Sequence, residues 1–183
     1  MKSLHPHAIT LAVALLVVST GALAQAISKP EYQVGKDKVA ADYKVAKAAC
    51  AALSGNPRDI CVAQAKGQKK IGKADLEVRY EPTEKHRYKL AEAKAEATYS
   101  VARERCDDLA GNAKDVCIKE AKAAEVTAKA DAKVTQKSSD ARIDANADKR
   151  QAQYRVEKEK CDALSGVPKT QCLDQAKMNF GTP

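Results

Sequence analysis

Tyr43-Lys-Val-Ala-Lys-Ala-Ala-Cys50-Ala-Ala-Leu53-Ser-Gly55-Asn-Pro-Arg-Asp-Ile-Cys61-Val-Ala-Gln-Ala-Lys66 decides the fold, because the chain carries this stretch three times. It aligns without gaps with Tyr99–Lys122 and with Tyr154–Lys177. The shared pattern is Y-x-V-x(4)-C-x(2)-L-[SA]-G-x(2)-[RK]-x(2)-C-[VIL]-x-[QE]-A-K, and the first cysteines lie 56 and 55 residues apart. A long motif recurring at a fixed period marks stacked supersecondary units.

One unit can be read as local structure. Tyr43, Ala46, Cys50 and Leu53 step by 3, 4 and 3, which places them on one helix face. Tyr99, Ala102, Cys106 and Leu109 repeat the stripe; Tyr154, Glu157, Cys161 and Leu164 repeat it with one polar position. Gly55, Gly111 and Gly166 then fall where a helix end calls for a left-handed residue. Asn56 and Asn112 follow as expected N-caps, with Pro57 at the first helical position. The unit reads as helix, tight turn, helix. Each pair of cysteines then faces across the bend, so the expected disulfides are Cys50–Cys61, Cys106–Cys117 and Cys161–Cys172. Each closes a short loop and contributes about 2–3 kcal/mol by restricting the unfolded chain.

Outside the motif, Pro82-Thr83-Glu84 ends one helix and starts another, and Ser138-Ser139-Asp140 is expected to do the same. Helices are therefore predicted near 36–54, 57–80, 83–110, 112–137, 140–165 and 168–178, with Gly67 and Gly72 weakening the second. The expected fold class is all-α: three disulfide-stapled αα-hairpin repeats in an up-down elongated array or slim bundle. The repeats span 36–82, 83–138 and 139–178, after an N-terminal linker at 25–35 and before a tail at 179–183. All three disulfide tips are expected at one end. Residues 25–183 hold 30 alanines but only 23 Leu, Ile, Val and Phe, with no Trp. A core of large side chains is ruled out, while alanine favours helix.

The N-terminus speaks to compartment. Met1–His7 carries Lys2, Ile9–Val18 is almost wholly apolar, and Ala22-Leu23-Ala24 is a small-x-small site. This is the layout of a secretory signal peptide, residues 1–24, with cleavage expected after Ala24 or Ala26. An even cysteine count in an exported chain favours structural disulfides and a periplasmic location. Removing residues 1–24 leaves 31 basic and 24 acidic side chains, a modest excess weighted to the first third.

Chemistry is sparse. His86, between Lys85 and Arg87, is the one histidine beyond the signal peptide, and no nucleophile–base set can be built around it. Zinc-type close cysteine pairs, redox C-x-x-C and phosphate loops are absent. The expectation is no catalytic residue, no cofactor and no metal. Lys66, Lys69, Lys70 and Lys73 form the densest basic run and are the candidate contacts for an anion. Nucleic acid would call for more charge and for stacking aromatics.

Cys161-Asp-Ala-Leu-Ser-Gly166 and Gly111-Asn-Ala-Lys-Asp-Val-Cys117 resemble small exported bacterial proteins, rich in Ala and Lys, with repeated Cys-x(10)-Cys hairpins, a group labelled TolA-like or cell-envelope biogenesis proteins. The resemblance spans about residues 36–178. It shares the stalk composition of TolA and implies an envelope setting. The expected function is a non-enzymatic periplasmic helical repeat protein, an envelope scaffold or stress-related protein-binding factor. An envelope protein is the expected partner, and self-association is compatible with the sequence. The alternative is a binder of anionic envelope polymer or lipid headgroups through the basic first repeat.

Overall fold

Ser28-Lys-Pro-Glu31 starts the first helix. Glu31 N–H donates to Ser28 Oγ, and Ser28 N–H donates to Glu31 Oε2 at 2.8 Å, a reciprocal capping box with Pro30 in the first turn. In the computed structural model, which describes residues 26–181, α1 therefore runs Lys29–Ala49. Within the expected linker at 25–35, residues 29–35 are helix. Its register is fixed by Tyr32, which stacks on Tyr80 with ring centroids 4.7 Å apart and hydrogen-bonds Glu77. The signal-peptide expectation, residues 1–24, lies outside the described residues, as do the last two residues of the tail.

The remaining helices are α2 (Gly55–Tyr80), α3 (Glu84–Cys106), α4 (Gly111–Cys161) and α5 (Gly166–Phe180), and the described residues are all-α. Each hairpin turn is built alike. Its first arm stops close to the cysteine, several residues before the expected ends at 54, 110 and 165. Leu53, Leu109 and Leu164 then donate their N–H groups to the carbonyls of Cys50, Cys106 and Cys161 at 3.0–3.1 Å. These leucines sit on the turn rather than on the buried stripe. Gly55, Gly111 and Gly166 take φ of 60°, 55° and 61°, the left-handed values expected of them. The predicted asparagine caps are not the helix caps: Ser54 and Ala110 hold that position and make no side-chain hydrogen bond into the helix.

All three disulfides form in the expected pairing, with Cα–Cα distances of 5.6, 5.7 and 5.6 Å. Cys50, Cys106 and Cys161 are fully buried. Three disulfides suit an oxidising setting, extracellular or periplasmic. No helix among the described residues is long and apolar enough to cross a membrane.

The turn expected at Ser138-Ser139-Asp140 does not form, and α4 continues unbroken for 51 residues. Position 138 is the repeat-equivalent of Pro82, and it is serine. Proline removes a backbone donor and clashes with the preceding turn, whereas serine inside a helix costs only about 0.5 kcal/mol relative to alanine. At 1.5 Å per residue α4 is about 76 Å long. The third disulfide tip therefore lies at the opposite end from the first two, which corrects the expectation that all three share an end.

Each helix touches only its chain neighbours: α1 on α2, α2 on α3, α3 on α4, α4 on α5. Helices α1 to α4 thus form one open layer, and the elongated array holds rather than a closed bundle. The seams are alanine. Ala63, Ala65, Ala93 and Ala95 are buried, and Leu76 is the one large aliphatic side chain buried among the described residues. Gly67 explains itself here: a Cβ at that position would lie 2.7 Å from Ala97 Cβ, so α2 and α3 cross too closely for a side chain.

Candidate functional site

The α2–α3–α4 layer is tied by a ladder of charge. Lys70 on α2 pairs with Glu96 on α3, and Glu96 accepts from Lys129 on α4 at 2.7 Å. Lys129 also pairs with Glu125 at 2.9 Å, and Lys122 reaches Glu125 at 2.7 Å while its ammonium sits 5.0 Å from the Tyr99 ring centroid. Glu125 is only 6% exposed, the one buried charged residue described. Hydrogen bonds from Lys122 and then Lys129 hold its carboxyl below the ordinary value, against the opposing effect of burial. The i−3 and i+4 spacing of those lysines was legible in the sequence. That alanines of α3 would wall the carboxylate in was not.

The ladder divides the four lysines of the basic run. Lys70 is engaged with Glu96, and Lys69 lies 4.3 Å from the Tyr43 ring centroid. Lys66 and Lys73 are exposed and make no ion pair among the described residues.

A more concentrated positive site lies at the tip of the first hairpin. Lys44, Lys47 and Arg58 line a groove of about 420 Å³ with Tyr43 and Val62, beside Cys50, and no carboxylate lines it. Repeat comparison explains why. In the second hairpin Lys114 is paired with Asp107 at 2.9 Å, and in the third Lys169 is paired with Asp162 at 2.8 Å. Arg58 is the equivalent cation, but the equivalent of the aspartate is Ala51. The first tip thus keeps the cation and lacks its counter-charge. The three aligned copies already held this signal, in the one column where alanine replaces aspartate.

On the seam of α2 and α3 a second groove of about 620 Å³ has the buried or half-buried Gly67, Ile71, Ala97 and Val101 as its floor and the exposed Gln64, Gln68 and Arg105 at its rim. It suits an inserted apolar side chain with polar groups around it.

His86 has a structural task. Its Nδ1 lies 2.8 Å from the Glu81 carbonyl oxygen, an arrangement in which Nδ1–H donates. Its backbone N–H donates to Thr83 Oγ1 at 3.2 Å, completing the cap of α3. The ring therefore seals the α2–α3 turn. No group of three or more His, Cys, Asp and Glu placed to hold a metal ion occurs among the described residues. No family model matches the chain, and neither a curated protein nor a solved structure matches it.

Proposed function

We propose that this chain is a non-enzymatic, exported helical scaffold of the bacterial envelope that binds another envelope protein through the seam groove of α2 and α3. The observation that carries the reading is the open single layer. Four helices lie side by side with both faces uncovered, and one face offers an apolar floor within a polar rim. A layer that buries mainly alanine gains little from closing on itself and leaves its surfaces for a partner. The disulfides and the sequence pattern of residues 1–24 support a periplasmic location, and the TolA-like resemblance supports the envelope setting. A photo-crosslinking residue at Gln68, used in intact cells, tests it. One discrete envelope protein captured there, and lost when Thr98 and Val101 are both enlarged, is the expected result. Capture that is unchanged by filling the groove would refute it.

A second reading has its own observation. The groove of Lys44, Lys47 and Arg58, left without the aspartate present in the other two repeats, suits a phosphate or carboxylate of an anionic envelope polymer or lipid headgroup. Ala51→Asp restores the missing counter-charge. It is expected to abolish salt-sensitive co-sedimentation with vesicles containing phosphatidylglycerol. Equal binding by the variant would end this reading.

A further inference from the structure

The face of α4 opposite α3 is exposed, and near its far end Ala152 and Val156 line a groove with Phe180, the last residue of α5. Ala123, Ala130, Val134, Ala141, Ala145, Ala152 and Val156 follow a 7-4-7-4 rhythm on this face, and all are exposed, Val134 at 68% and Val156 at 55%. Helix α3 lies on the other side, where Glu125 and Lys129 point, and α5 is stapled to that side through Cys161, with Phe180 at the flank of Ala152 and Val156.

The repeat gives this face a counterpart elsewhere in the chain. Shifted back by 56 residues, Ala123 is Gly67; shifted back by 55, Ala152 is Ala97. Gly67 and Ala97 are a pair in close contact where α2 meets α3. The same register sets Ala130 opposite Ala145 and Val134 opposite Ala141. So α4 carries both halves of an α2–α3 seam on one unbroken helix, where they cannot meet within a chain.

We infer that a second copy of this chain docks antiparallel along that face, the two α4 helices pairing in the α2–α3 register about a twofold axis between Lys137 and Ser138. The pairing is isologous, each half-seam meeting its mate on the other copy. It continues the layer outward from α4, with α3 of both copies on the far sides and Phe180 of each α5 at the flank of the pairing. Charge agrees. Lys129 and Lys133 are taken up on the α3 side, by Glu96 and Glu125 and by the Tyr88 ring, which leaves Lys137 and Asp131 of residues 127–137 to face Asp140, Asp144, Asp148 and Arg142 of residues 138–148. Antiparallel docking brings the two stretches together. Asp131 and Arg142 of the two copies then fall on the same flank within about two residues' rise of one another.

The inference does not depend on the seam groove between α2 and α3, which stays free. Sedimentation equilibrium of the disulfide-intact chain is expected to give twice the chain mass. Ser138→Cys, next to the axis, is expected to cross-link to its own mate on mild oxidation, and Ile143→Cys, on the α3 side of the helix, is not. Val134→Glu should return the chain to a monomer of unchanged helicity. Asp131→Arg should weaken the dimer at least tenfold, and adding Arg142→Asp should restore it. A monomer at all concentrations overturns the proposal, as does a dimer that links through Ile143→Cys but not Ser138→Cys. So does a monomer bent at Ser138-Ser139 whose positions 134 and 141 cross-link within one chain.

Discussion

Replacing Gly67 with alanine sets two effects of known size against each other. In an exposed helix interior the change stabilises by about 0.5–1 kcal/mol, because glycine loses more backbone freedom on folding. At this position the new Cβ would stand 2.7 Å from Ala97 Cβ, a full ångström inside ordinary carbon–carbon contact. Ala97 is short and its Cβ is fixed to the backbone, so relief requires α2 and α3 to part. Overpacking of this kind costs about 1–3 kcal/mol. The net expectation is a loss of about 0.5–2 kcal/mol, read as a lower urea midpoint by helix circular dichroism. Gly67→Ala with Ala97→Gly moves the methyl from one helix to the other and should recover most of that loss. If Gly67→Ala alone raises the midpoint, helix propensity has won, and the close alanine seam is wrong.

Three further outcomes follow from the same structure. Cys50→Ser with Cys61→Ser should cost the first hairpin about 2–3 kcal/mol and raise hydrogen exchange there first, since neighbours alone couple the units; simultaneous loosening of all five helices would contradict it. Glu125 has a folded-state pKa below its ordinary value, so its stabilising effect is complete above the unfolded-state value of 4.5 and is lost as pH falls through the lower folded-state value. Thermal midpoints across that acid range should fall, and Glu125→Gln should flatten the fall while lowering the midpoint at neutral pH. His86→Ala should fray the α2–α3 turn, seen as faster exchange at the Arg87 amide, with the three disulfide tips unaffected.

What the sequence disclosed depended on how local each cause is. The hairpins, the left-handed glycines and the three disulfides follow from a motif written three times, and each is set within a dozen residues. The capping box at Ser28 and Glu31 was equally local, but it stands outside the repeat, and so residues 29–35 read as linker. The unbroken α4 was visible only as a difference between copies, serine at 138 against proline at 82; serines and an aspartate suggested a cap, while the surrounding alanines carried the helix through. The tip groove of Lys44, Lys47 and Arg58 shows the same lesson, because its distinguishing residue is an absent aspartate at Ala51. Burial of Glu125 was out of reach of periodicity, for it needs α3 laid against α4 at a distance only small side chains allow.

The straightness of α4 organises the whole account, since it sends the third tip away from the other two. Fluorophores at Ala113 and Thr170, in a chain diluted with unlabelled copies so that each assembly carries one label pair, measure it by energy transfer. An unbroken α4 of 51 residues predicts a separation near its about 76 Å length, hence almost no transfer. Efficient transfer, as from a chain bent at Ser138-Ser139 with its second and third tips side by side, would contradict it.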